Sequence, residues 1–268
     1  MAELPNYARP PVIEVAIGTQ FAPMADFLAA HVGRYWSTFA ESFGRVEERG
    51  PIIHFIEAIE EAQRPPGFQI STGPELPRTW FIDKTGGQVI QVQRDRYLYN
   101  WRKVKEEDQY PRFHTVRDNF ISHWEGFLSF LEEEHLPPPQ LDQLELTYVN
   151  HVPSGQAWHD LSDLGSLVTC FDWRTRTGFL PVPENVGLSM HFRLPDRLGR
   201  LHVELAPVLK QPESAPALRL SLTVRGRPAE KITTESMKGW FELAREWIVK
   251  GFADLTQAET DKLWGKKT

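Results

Sequence analysis

One cysteine, Cys170, in 268 residues excludes an intrachain disulfide and any cysteine-rich metal site. No apolar run approaches the roughly 20 residues that span a bilayer. The N-terminal MAELPNYARPP has neither the basic nor the apolar region of a secretory signal. These absences point to a cytoplasmic protein with no membrane partner. Catalytic and nucleotide-binding signatures are missing too: there is no GxSxG, GxGxxG, P-loop or HExxH pattern. His151, His159, Asp160 and Asp163 lie close together without a recognised ligand spacing, so neither a metal nor another cofactor is expected. The net charge of −6 argues mildly against a polyanion as main partner, although a local basic patch can override that average.

What is present is a large stock of core-forming side chains. With 16 Phe and 9 Trp, a hydrophobic share of 41% excludes wholesale disorder. More aromatics are present than the helical stripes readily bury, which leaves room for an exposed patch and a homodimer.

The chain is organised around Thr79–Lys105. Three runs rich in β-branched and aromatic residues, Thr79–Ile82, Val89–Gln93 and Tyr97–Arg102, are separated by Asp83–Gly87 and Arg94–Arg96. Hairpin-length polar breaks between such runs predict an antiparallel meander. Before it, Val12–Phe21 alternates as a strand with Ile13, Val15, Ile17 and Phe21 on one side. Met24, Phe27, Leu28, His31, Val32, Tyr35, Phe39 and Phe43 then follow at helical spacing, a stripe of about five turns. Pro51–Ala62 is ambiguous between a strand and a short helix, on which Glu57, Glu60 and Glu61 would form the wet face. After the meander, Tyr110–Glu134 is amphipathic, with Phe113, Val116, Phe120, Trp124, Phe127 and Leu131 as its stripe and Pro111 placed as an N1 proline.

Leu136–Gln140 (LPPPQ) stops that helix, and the order begins again. Leu141–Val149 alternates, and a weaker helical stretch carries Trp158, Leu161, Leu164, Val168 and Phe171. Val186–Arg193, Leu201–Leu205 and Leu218–Arg225 form a second meander. Thr233 or Thr234 then caps a helix with Met237, Trp240, Ala244, Trp247, Gly251 and Leu255 on one face. The expectation is an α+β protein of two tandem β-α-β-β-β-α repeats, residues 1–135 and 141–268, joined by the connector 136–140. Each meander sheet would grip its long C-terminal helix, and the two would join or pack face to face about a pseudo-two-fold as one compact unit.

PPVIEVAIGTQF near the N-terminus, IQVQRDR with NW shortly after, the YPRF that opens the first long helix, and ELTYVNHV in the second half carry a resemblance. In these segments the chain resembles a sporadically distributed, functionally uncharacterised bacterial family of similar length. The resemblance implies a bacterial origin and supplies no mechanism or catalytic residue.

Two stretches could carry function. In Arg94–Lys105, Arg94, Arg96, Arg102, Lys103 and Lys105 interleave with Tyr97, Tyr99 and Trp101. Rings stack on bases while guanidinium groups contact phosphates, so this pattern suits a nucleic-acid surface. The alternative is that the rings alternate onto the core side of a strand. Asn100 and Asn150 are amides in apolar strands and require partners if buried. On the polar side of the second meander, His191, Arg193, His202, Glu204, Arg219, Ser221, Thr223 and Arg225 share a face, with His191 and His202 on adjacent strands. That face could receive an anionic small molecule or a protein, or be a plain solvated sheet face. Cys170, beside Val168 and Phe171, reads as a small buried hydrophobe. The leading expectation is a non-enzymatic module that holds a protein or anionic small-molecule partner. The alternatives are a nucleic-acid-binding protein using Arg94–Lys105, and a hydrolase using His191, His202 and Glu204.

Overall fold

The computed structural model describes residues 4–58, 76–171, 173, 178–210 and 215–267. In chain order the elements are β1 (Asn6–Tyr7), β2 (Val12–Phe21), α1 (Ala29–Ser37), β3 (Arg45–Arg49), β4 (Arg78–Ile82), β5 (Gln88–Gln93), β6 (Arg96–Arg102) and α2 (Phe113–Glu133). There follow β7 (Leu141–Pro153), α3 (Leu164–Leu167), β8 (Leu188–Arg193), β9 (Gly199–Lys210), β10 (Ala215–Gly226), α4 (Thr234–Leu255), α5 (Ala258–Leu263) and β11 (Lys266–Lys267). Nine strands make one antiparallel sheet in the order β3-β4-β5-β6-β2-β7-β10-β9-β8, while β1 and β11 pair separately. The two meanders therefore join edge to edge through β2 and β7 rather than packing face to face.

One face of this sheet carries the core. Val15 and Ile17 on β2, Tyr97 and Tyr99 on β6, Leu144 and Leu146 on β7, and Leu220 and Leu222 on β10 are all buried there. α2 covers β6 and β2, and α4 covers β10 and β7, with the two helices in mutual contact. The expected stripe of α2 is buried from Phe113 to Leu131. Its first turn differs from expectation: the N-cap is Arg112 at φ 75°, so Pro111 stands ahead of the helix rather than at N1. In α4, Thr233 closes a capping box with Ser236; Met237, Trp240 and Ala244 are buried as expected, Trp247 and Leu255 pack half-buried against the core, and Phe241, Ile248 and Phe252 join the buried stripe.

Other departures have local causes. A register shift between Val12 and Glu14 lets Ile13 bulge, which puts Val12 into the core in its place. The five-turn stripe from Met24 to Phe43 yields only the nine residues of α1. Past Ser37 the chain continues in turns, and these let the Trp36 indole donate to the Phe43 carbonyl at 2.8 Å. β3 was not anticipated, because RVEER offers no apolar alternation. The weak second-half stretch condenses to a 3-10 turn at Leu161–Asp163 and the single turn of α3. Phe192, expected inward, is exposed on the edge strand β8. Cys170 is exposed rather than buried. Among the described residues no helix is long and apolar enough to cross a membrane, and Phe179 and Phe192 are the large aromatics at the surface.

Candidate functional site: the polar face of the sheet

The face opposite the helices is polar, and it is not bare. Residues 51–58 leave β3 and cross it as an extended segment without regular secondary structure. That answers the ambiguity of Pro51–Ala62 with neither strand nor helix; positions 59–62 lie outside the described residues.

The sheet strands hold this strap through side-chain amides that read its backbone. Gln93 accepts from the Ile52 N–H at 2.9 Å and donates to the Ile52 carbonyl at 2.8 Å. Gln143 accepts from the Glu57 N–H at 3.0 Å and donates to the Phe55 carbonyl at 2.6 Å. Between them Gln20 accepts from the Phe55 N–H at 3.4 Å, and Arg96 donates to the Ile53 carbonyl at 3.4 Å. A carboxamide offers a donor and an acceptor side by side, so each clamp satisfies two backbone groups that a chain without strand partners would leave open.

The strap's side chains are held at both ends. His54 Nδ1 lies 2.8 Å from Asp95 Oδ2 in the β5–β6 turn. Glu57 is buried, with Arg200 on one carboxylate oxygen and His202 Nε2 on the other at 2.8 Å. Burial alone would push the Glu57 carboxyl up. The His202 hydrogen bond and the charges of His202, Arg200 and Arg225 outweigh it and hold the group below its ordinary value. Glu57 is therefore not on the wet face of a helix. His202 and Arg200 in turn are covered rather than part of a solvated sheet face.

Beneath the strap a second carboxylate, Glu145, ties the sheet together. Burial raises its pKa, but Arg225 and Arg96 bring it below the ordinary value. Arg225 donates to it, and Arg96 lies 3.9 Å away. Asn100 is buried on this face, accepting from Gln91 at 2.7 Å and donating to Glu14. Burial pushes the Glu14 carboxyl up, against that hydrogen bond and the charges of Arg102 and Arg78.

Towards the β3 edge the face turns strongly basic. The guanidinium carbons of Arg49, Arg78 and Arg102 stand 5.0, 5.3 and 5.7 Å from the Trp80 ring. Among the described residues, the buried side-chain nitrogens without a partner are Gln20 Nε2, Arg78 Nε, Trp80 Nε1 and Arg96 Nε. All four belong to this face, and all four are donors.

The expected site residues divide between the two faces. Tyr99 and Trp101 are buried on the helix side with Tyr97, so the rings do not share a surface with Arg94, Arg96 and Arg102. Arg94 Nε donates to the Phe27 carbonyl at 3.2 Å and Arg102 Nε to the Gly86 carbonyl at 2.6 Å. Asn150 also faces the helices, donating to the Leu220 carbonyl at 3.1 Å. His191 and His202 are cross-strand partners with ring centroids 4.7 Å apart. Glu204 is exposed and bonds neither imidazole, and Arg193 is exposed at the edge. The carboxylate that meets His202 comes from the strap instead. Sequence reasoning missed Gln20, Gln93, Gln143, Asp95, Glu145 and Arg200. The available signal was a glutamine in each of three apolar strands. Comparison with protein-family models, curated proteins and solved structures returns no match.

Proposed function

We propose that this is a non-enzymatic binding protein that grips an extended, acidic polypeptide segment of a partner on the polar sheet face, where its own residues 51–58 lie. The observation that carries this reading is the pair of carboxamide clamps, Gln93 on Ile52 and Gln143 on Phe55 and Glu57. They bond main-chain groups that every peptide has, so the grip is largely indifferent to sequence. The Arg200–His202 pair adds a preference for a carboxylate. The four orphaned donors and the arginines around Trp80 favour further acceptor groups on the same partner. An intramolecular strap competes at a high effective concentration, so a partner gains access chiefly when the strap is loosened.

The test uses a fluorescein-labelled PIIHFIEA peptide and the full-length Glu57→Ala chain, whose strap has lost its anchor. Fluorescence anisotropy should show saturable binding, at least about tenfold weaker for the peptide with Gln in place of its Glu. Adding Gln93→Ala and Gln143→Ala should remove it. If the peptide ignores the Glu57→Ala chain although hydrogen exchange shows that its strap has loosened, the reading fails.

The arginines around Trp80 also support a second reading, nucleic-acid binding. It would appear as an oligonucleotide affinity that falls steeply with salt, as counterion release requires.

The same reading gives the fold an origin as two tandem repeats about a pseudo-two-fold, in a protein of the cytoplasm. Its support is that β2 and β7 are each followed by a helical segment, a run of consecutive antiparallel strands (β3 to β6 in the first half, β8 to β10 in the second) and a long helix. A superposition of residues 11–135 on 141–265 that fails to align these elements would remove that origin without touching the binding proposal.

A further inference from the structure

On the opposite side of the sheet, a cavity of about 510 Å³ opens between the starts and ends of the two long helices. Its floor includes Val12, Tyr148 and Asn150, and its walls include Phe113 at the head of α2 with Ile248 and Phe252 of α4. The N-terminal arm closes one side through Pro5, Tyr7, Pro10 and Pro11. This volume falls within the range of small-molecule sites, which are mostly apolar with a few convergent polar groups.

The polar groups here are specific and incompletely used. Asn150 is 4% exposed; its amide N–H reaches the Leu220 carbonyl, while its Oδ1 accepts no hydrogen bond among the described residues. Tyr110 and Tyr148 hydroxyls lie 2.8 Å apart. That contact uses one of their two O–H hydrogens and leaves the other for a further acceptor. Arg112, His114 and Arg245 line the same cavity. Glu242 is the carboxylate that serves Arg245 and His114, and it is shared with Arg117. Asp118 also pairs with Arg117, so two carboxylates face the three guanidinium groups of Arg112, Arg117 and Arg245, and the cavity rim keeps a positive balance.

We infer that this cavity is a binding site for a small organic acid with an apolar, preferably aromatic, body and a hydrogen-bond donor of its own. The carboxylate meets Arg245 and Arg112 at the rim. The apolar body lies between Phe113, Ile248 and Phe252, and the donor satisfies Asn150 Oδ1. This site is separate from the polar face and stands whether or not a polypeptide binds there.

Isothermal titration of the full-length protein with indole-3-acetate tests it, since that probe has a carboxylate, an aromatic body and one N–H. The expected result is one site per chain. Indole-3-acetamide, which lacks the charge, and 1-methylindole-3-acetate, which lacks the donor, should each bind about tenfold more weakly, the loss of roughly one hydrogen-bonded or charged contact. Arg245→Leu should erase the preference for the acid over the amide, and Val249→Trp, which fills the cavity from α4, should abolish binding of all three. No heat from any probe, or unchanged indole-3-acetate binding by Val249→Trp, overturns the inference.

Discussion

Glu57 and His202 are 145 residues apart in the chain and meet at 2.8 Å on the polar face of the sheet. Arg200 completes the contact from the same strand. The strap is thereby fixed to β9, at the far side of the sheet from the β3 strand it leaves. Arg200 also donates to the Ala58 carbonyl at 3.3 Å, but the side-chain contacts that fix this end of the strap depend on one ionised carboxylate.

That dependence has a sign. The folded-state pKa of Glu57 is depressed below the ordinary 4.5. Its contribution is therefore present above that value and is lost as pH falls through the folded one. Hydrogen exchange of the Ile52–Glu57 amides, corrected for intrinsic rates, should show the strap protected at neutral pH and released on acidification. Glu57→Gln should release it at every pH, because Arg200 and His202 are then left buried without their anion, at a cost of about 3 kcal/mol. Equal pH profiles for the wild type and Glu57→Gln would refute this account.

The glutamines that grip the strap should not be equivalent. Gln143 satisfies two strap groups, so Gln143→Leu leaves the Glu57 N–H and the Phe55 carbonyl open and should cost about 2 kcal/mol in urea unfolding. Gln20 makes one long contact and buries an Nε2 without a partner. Gln20→Leu loses the first and removes the second, and should be close to neutral. A larger loss for Gln20→Leu than for Gln143→Leu would contradict the clamp assignments.

Much of the helix side could be read from the sequence. The periods of two and of three to four that buried Tyr97, Tyr99 and Trp101 beneath Phe120, Trp124 and Phe127 are local patterns within one element. The strap was not legible, for a physical reason. PIIHFIEA has no period to follow because its partners are side chains on other strands, Gln93 at 41 residues' separation and Gln143 at 86. Contacts of this kind leave their trace in the holder rather than the held segment, as polar amides at positions where an apolar strand has no need of them. The shortening of α1 was equally hidden, since the apolar stripe continues through Phe39 and Phe43 although the backbone has left the helix.

Two glycines should respond in opposite directions. At Gly18, a Cβ would lie 2.2 Å from the Tyr97 carbonyl oxygen and 2.5 Å from Leu98 Cδ2, where β2 meets β6. Gly18→Ala would force two central strands apart and should cost about 3 kcal/mol. Gly126 lies within α2 with nothing within 4 Å of the added carbon. Gly126→Ala should gain about 0.8 kcal/mol from helix propensity alone. Denaturant midpoints for both variants decide the matter, and a tolerated Gly18→Ala would argue against this strand pairing.

All six tyrosines of the chain resist ionisation. Burial is the leading cause in each case, pushing Tyr99 and Tyr148 up to about 12 and the others higher still. A native state that holds these protons binds more of them above pH 10 than the unfolded chain does, so stability must fall as pH rises past that value. Each tyrosine contributes a slope of about 1.4 kcal/mol per pH unit, and six together approach roughly 8 kcal/mol per unit. A domain's whole stability, about 5–15 kcal/mol, is then exhausted within one or two units. Tyrosinate absorbance and far-UV circular dichroism should therefore change together, in a single steep transition above pH 10. Tyrosinate forming near pH 10 with the dichroism intact would place at least one ring at the surface and contradict the burial of all six.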